Sequence, residues 1–242
     1  MDKIEAVIIN SERNDAKLQF LFAIGFPFFT VLALGIDSVF FTEHYFDGRQ
    51  LTNVLCILYF AGFYFTSNSY LRKLMLVMLG LSYIGELLFC SLLGMYSYRT
   101  PAIPLYVPFG HAIVYVSGYV FANTEWSISK ELYLRKYFLS FFALLFLSVA
   151  LFLKDYFSLL LGILFFVLLK RKRWQNLYCF IAFCVIFIEL VGTYFKCWTW
   201  VPNVFGVIPT SNPPMGAVFV YAGGDVLLAK IVGVWENKKK TV

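Results

Sequence analysis

Apolar residues run in long blocks along this chain, and polar residues are confined to short breaks between them. A hydrocarbon layer about 30 Å thick needs roughly 20 mostly apolar residues in helical form to cross it. The blocks predict eight spans, at roughly 18–40, 51–68, 74–95, 102–122, 137–153, 156–170, 176–195 and 214–234. They are continuous rather than alternating with period two, which favours helices over a barrel. The sixth is short enough to be thin or re-entrant. The connector 123–136 is polar but carries Trp126, Ile128, Leu132 and Tyr133 at near-helical spacing, which predicts an amphipathic stretch lying on the membrane surface.

One pattern occurs twice. Pro108 to Val120 reads P-F-G-H-A-I-V-Y-V-S-G-Y-V, and Pro214 to Val226 reads P-M-G-A-V-F-V-Y-A-G-G-D-V. Pro108 falls on Pro214, Gly110 on Gly216, Tyr115 on Tyr221 and Gly118 on Gly224. Where the copies differ, one carries His111 and the other Asp225. The same offset aligns Leu55, Ile57, Leu58 and Phe60 with Leu161, Ile163, Leu164 and Phe166, a weaker match. The chain is therefore read as two halves, 1–122 and 123–242, each of four helices. An even number of spans per half gives a parallel repeat about an axis along the membrane normal.

Charge sets the expected orientation. Lys3, Arg13, Lys17, Arg72, Lys73, Lys130, Arg135, Lys136, the run Lys170 to Arg173 and the tail Lys238 to Lys240 all fall on one side of the eight-span scheme. The other side has Arg49, Arg99, Lys154 and Lys196, one per loop. Positive charge stays cytoplasmic, so both termini are expected inside. No cleavable signal pattern is found in the polar N-terminus, and the first span is expected to act as the insertion signal. The setting expected is a cell (inner) membrane, or the endoplasmic reticulum if the source is eukaryotic. For that case Lys239 and Lys240 near the end suggest a di-lysine retrieval signal, against the plainer reading of a basic topology tail.

Composition agrees. Of 242 residues, 60% are hydrophobic and 14% charged, where soluble proteins carry about 25% charged residues. The net charge of +6 does not imply nucleic acid, because the basic residues lie in short clusters between spans. The five cysteines form no C-x-x-C and read as packing residues. Trp174, Trp235, Trp198 and Trp200 read as an aromatic belt.

Ionisable residues inside spans are costly and mark candidate function. They are Asp37, Glu86, His111, Glu189 and Asp225. Glu86 and Glu189 lie on outward-running helices, His111 and Asp225 on inward-running ones, all four at similar depth. These four are the candidate catalytic residues, and Asp37 is read as interfacial. Tyr115, Tyr221, Trp198 and Trp200 are candidate ligand-binding residues. The alternatives are that the polar groups only lock helices together, and that Asp225 pairs with Lys230. Gly118 and Gly224 read as close-packing sites. The proline-rich stretches before His111 and before the eighth span read either as half-inserted segments or as ordinary loops. No metal site and no cofactor are expected.

Several enzyme classes are argued against. Two histidines are too few for a membrane di-iron centre. Glu43-His44 is in the wrong order for a zinc motif and off a helix. Ala222-Gly223-Gly224-Asp225 falls one residue short of G-x-G-D. No Walker or dinucleotide glycine motif is present. The stretch with Glu189, Gly192-Thr193, Trp198 to Trp200, Gly206 and Pro209 faintly resembles membrane carotenoid-modifying proteins, over one helix and one loop. The fold expected is an all-α polytopic membrane bundle. The leading function is acid–base chemistry on a lipid-like or isoprenoid substrate. A small proton-coupled transporter and a complex subunit or assembly factor are the alternatives.

Overall fold

The computed structural model describes the backbone of residues 3–240 and the side chains of 15–235. The side chains of Lys3, Arg13 and Lys238 to Lys240 lie outside the described residues, as does the end of the proposed di-lysine signal. Among the described residues the chain is all-helical apart from two small strand pairs. The helices are α1 (Lys3–Ile36), α2 (Val39–His44), α3 (Arg49–Thr66), α4 (Ser69–Glu86), α5 (Tyr106–Ala122), α6 (Glu125–Ser129), α7 (Glu131–Leu153), α8 (Tyr156–Lys170), α9 (Gln175–Tyr194) and α10 (Ala217–Lys240). A π-helical turn, Leu87–Leu92, continues α4. The strands are β1 (Tyr96–Tyr98), β2 (Trp198–Trp200), β3 (Asn203–Val204) and β4 (Ile208–Pro209).

Five helical stretches are long and apolar enough to cross a membrane: Asp15–Ile36, Ser69–Leu92, Glu131–Leu153, Gln175–Tyr194 and Ala217–Trp235. The remaining blocks form α3, α5 and α8, of 18, 17 and 15 residues. α3 opens on Arg49, Gln50, Thr52 and Asn53, which dilutes its apolar character. Phe28, Leu92, Leu144, Phe152 and Tyr194 stand exposed on the outside of the bundle. A water-facing protein rarely carries so much exposed apolar surface, and this one fits a membrane protein.

Local sequence explains the helix starts. Asn68 accepts from Leu71 N at 2.9 Å and caps α4, and Asp155 accepts from Ser158 N at 2.8 Å and caps α8. The connector forms α6 and the first turns of α7, with Trp126, Ile128, Leu132 and Tyr133 exposed. Glu43-His44 is part of α2, correcting the expectation that it lies off a helix. The backbone of Tyr45 bonds back to Phe41, which closes that short turn.

α5 sits in the middle, apolar all round and buried from Ala112 to Gly118, as expected of a core helix. It packs against α1, α3, α4 and α9, while α10 packs against α4, α8 and α9. Gly118 permits the α5–α9 approach: a Cβ there would lie 2.6–2.8 Å from Ile181, including its backbone. Gly224 corrects the other half of that expectation. Nothing lies within 4 Å of a Cβ built there, because the helix faces a cavity at that point.

The loops after α4 and α9 meet over one end of the bundle. β1 and β2 pair antiparallel, with Tyr96 opposite Trp200 and Tyr98 opposite Trp198. Arg99 N donates to Cys197 O and Val201 N to Met95 O, which extends the ladder. The Arg99 guanidinium then ties this cover down, 2.7 Å from both Asp37 Oδ1 and Asp47 Oδ1. Tyr106 donates to Asp37 Oδ2 at 2.8 Å. Asp37 is 1% exposed, and the cation that offsets its burial comes from the cover itself.

The Arg99 hydrogen bond holds the Asp47 carboxyl below the usual carboxylate range, against an opposing push from burial. A depressed carboxylate stabilises the fold above its unfolded value, about 3.9, and that support is lost as pH falls through the folded value. The Asp47–Arg99 tie is thus expected to hold at pH 4–5 and to weaken below. Thermal unfolding of wild type and Asp47→Asn at pH 7 and pH 3 checks this: the two should differ at pH 7, and the difference should shrink at pH 3.

Candidate active site

Strand geometry puts the site together. Side chains alternate across a strand, and directly opposed residues share a face. Tyr96, Tyr98, Trp198 and Trp200 therefore project from one face of the two-stranded cover, and all four border the cavity beneath it. Tyr96 and Tyr98 both donate their hydroxyls to Glu86 Oε2, each at 2.7 Å. Trp198 and Trp200 both donate their indole N–H to Glu189 Oε2, at 2.9 and 3.1 Å. Burial, and then the nearby Glu86 charge, push both phenols well above their ordinary value. They remain protonated donors at neutral and mildly alkaline pH.

Each glutamate thus has one oxygen held by two aromatic donors and the other turned elsewhere. His111 Nε2 lies 3.0 Å from Glu86 Oε1, so the pair shares one proton position. Tyr221 donates to Glu189 Oε1 over a long 3.4 Å. The His111 and Tyr221 rings stack at 4.7 Å and 14°, so the two carboxylates are joined by a short chain of polar side chains. Indole can only donate, so any proton carried by Glu189 sits on Oε1.

A cavity of about 660 Å³ lies under the cover, within the range that holds a drug-sized ligand. Its wall is mostly apolar and draws on α1, α3, α4, α5, α8, α9 and α10. Gly85, Gly110, Gly223 and Gly224 border it, and none has an atom within 4 Å of a built Cβ. Ile84 on α4 and Leu227 on α10 belong to the wall and are also exposed outside. Those two helices pack on each other.

The candidate residues are distributed as follows. Glu86, His111, Glu189, Asp225, Tyr221, Trp198 and Trp200 all border the one cavity. Tyr115 does not; it is buried in the main core cluster. Trp198 and Trp200 are each 8% exposed, which corrects the aromatic-belt reading, because their N–H groups turn inward to Glu189. Asp225 is 4% exposed and makes no ion pair with Lys230 among the described residues. Side chains take an amide at the entry to each of the two proline-led helices: Tyr106 N, at the start of α5, donates to Asn53 Oδ1, and Gly216 N, just before α10, to Ser158 Oγ. Both proline-rich stretches are thus anchored to a neighbouring helix where they enter α5 and α10. Among the described residues no cluster of histidine, cysteine and acidic side chains is placed to hold a metal ion.

The apolar pattern does not single out Tyr96 and Tyr98. Their signal in the sequence is an aromatic–hydroxyl–aromatic triplet after each glutamate of the long apolar helices, Tyr96-Ser97-Tyr98 and Trp198-Thr199-Trp200. The first triplet begins ten residues after its glutamate and the second nine. The π-helical turn after Glu86 fits the extra residue, since π turns hold more residues than α turns and recur at functional sites.

Gly192 leaves room for the cover. A Cβ there would lie 2.0 Å from the Trp198 ring. Gly192→Ala is expected to expel that indole from Glu189, at a cost of about 1–3 kcal/mol as for other overpacked sites. Thermal unfolding together with the tryptophan emission maximum checks this: lower stability and a shifted maximum are expected.

No family model, curated protein or solved structure matches this chain.

Proposed function

We propose that this chain is a membrane enzyme that moves protons on an apolar, lipid-like or isoprenoid substrate held in the chamber. The observation that carries the reading is the pair of buried carboxylates at the covered end of a mostly apolar cavity. An apolar molecule can enter that cavity from lipid without crossing water. The cover excludes water from the carboxylates, which strengthens their electrostatic effect.

The chemistry that fits is addition and removal of one proton. The Glu86–His111 pair delivers a proton to one carbon of a substrate double bond. The positive charge left on the substrate lies among tyrosine and tryptophan rings, which favour cations over their faces. Glu189 Oε1 then takes a proton from a neighbouring carbon. One proton enters and one leaves, so the product is an isomer of the substrate and no co-reactant is consumed. Incubation in D₂O with a membrane isoprenoid extract tests this. The expected product is an isomer carrying one added deuterium, and an unlabelled product would contradict the route.

The same reading places two related four-helix halves in the membrane. Three correspondences support duplication: each half supplies a glutamate, an aromatic triplet after it, and a helix whose entry is tied by an amide to α3 or α8. α5 crosses to the second half's α9, and α10 crosses to the first half's α4. Lys17, Arg72, Lys73 and Lys170 to Arg173 fall at the end of the bundle away from the cover. The positive-inside rule then puts the cover on the non-cytoplasmic side.

A further inference from the structure

Most polar groups at the covered end of the chamber satisfy one another. Asp225 stands apart. It follows Tyr221 by one turn of α10, about 6 Å further from the cover at 1.5 Å rise per residue. It borders the same cavity and is 4% exposed. Its Oδ2 has no hydrogen-bond partner. Beside it, Gly223 and Gly224 open onto empty space. Ser82, a hydroxyl on the same wall, is committed to Met78 O at 2.7 Å.

Buried carboxyl groups are costly without a partner, and native structures nearly always provide one. Here the described chain provides none; Oδ2 itself is sealed within the wall, and the residue borders the chamber. The geometry points to Asp225 as the anchor for a hydroxyl on the bound molecule, which makes the ligand class a long-chain or isoprenoid alcohol. A hydroxyl both donates and accepts, so it satisfies either protonation state of the carboxyl. The inference rests on the chamber being the substrate site. It adds a second fixed point: with the hydroxyl on Asp225 and the chain running toward the cover, one carbon of the substrate is brought to Glu86 and Glu189. Asp225 is thus a binding and positioning residue, and the proton transfers belong to the two glutamates and His111.

The test uses the full chain in nanodiscs, with binding to empty nanodiscs subtracted. The probes are labelled geranylgeraniol and the hydrocarbon of the same skeleton without the hydroxyl. Wild type is expected to prefer the alcohol by about tenfold or more, the worth of one good hydrogen bond to a buried carboxyl. Asp225→Leu is expected to erase the preference while still binding the hydrocarbon. Asp225→Ala, which only widens the cavity, gives the same reading if the leucine variant does not fold. Asp225→Asn is expected to keep a preference, because an amide also donates and accepts. Glu86→Gln is expected to leave the preference unchanged. Hydrocarbon binding with no alcohol preference in wild type, or a preference that survives Asp225→Ala, overturns the assignment while leaving the chamber reading standing. Binding of neither probe overturns both.

Discussion

Glu189→Gln is expected to lower turnover by roughly 10²–10⁴-fold, the range for loss of a general acid or base, with folded protein recovered at wild-type levels. Glutamine preserves the shape of the site. Its amide oxygen can still accept from Trp198 and Trp200, as Glu189 Oε2 does at 2.9 and 3.1 Å. Its NH₂ then occupies the Oε1 position beside the Tyr221 hydroxyl and can no longer take up a proton. Glu86→Gln follows the same logic. The amide oxygen keeps both tyrosine hydroxyls, and the NH₂ meets His111 where a shared proton stood. A strain lacking the protein, complemented with wild type or either variant, reads both effects by isoprenoid profiling and membrane abundance. Loss of product at normal abundance supports the chemistry. Loss of abundance would reduce the glutamates to helix-locking groups.

The second large effect concerns the central helix. Gly118→Ala is expected to cost about 1–3 kcal/mol, or roughly 2–4 °C in Tm per kcal/mol for a chain of this size. The added Cβ would meet Ile181 backbone nitrogen and Cα at 2.7–2.8 Å, and backbone cannot rotate away as a side-chain tip can. The α5–α9 crossing must widen, and it carries both His111 and Glu189. Gly85→Ala is the matched control. No atom lies within 4 Å of its Cβ, so it gains helix propensity of up to about 1 kcal/mol without a clash. The same substitution is thus expected to change stability in opposite directions at two positions. Thermal unfolding of both variants in one detergent decides it.

Much of the architecture was legible in the pattern of apolar blocks, because helix length and apolar content are local properties. The short blocks at α3, α5 and α8 were harder: what holds them is contact with neighbours rather than their own length. The rarity of charge inside spans pointed to Glu86, His111, Glu189 and Asp225, and all four border one cavity. The roles of the aromatic residues were not legible. Trp198 and Trp200 read both as interface anchors and as candidate ligand-binding residues, and strand pairing turns them inward to the cavity. Tyr96 and Tyr98 became donors to Glu86 by the same pairing, which joins residues about a hundred positions apart. Tyr115 and Tyr221 were indistinguishable in the repeated pattern. Of the two, only Tyr221 borders the cavity.

Photolabelling tests most directly whether the chamber takes up an apolar molecule. The probe is an isoprenoid carrying a diazirine near its middle, activated by light on the protein in nanodiscs and mapped by peptide mass spectrometry. Adducts are expected to concentrate on α4 around Glu86 and on α10 around Asp225, and to be competed away by unlabelled isoprenoid. Uncompeted adducts confined to outer residues such as Phe28, Phe152 and Tyr194 would contradict uptake by the chamber.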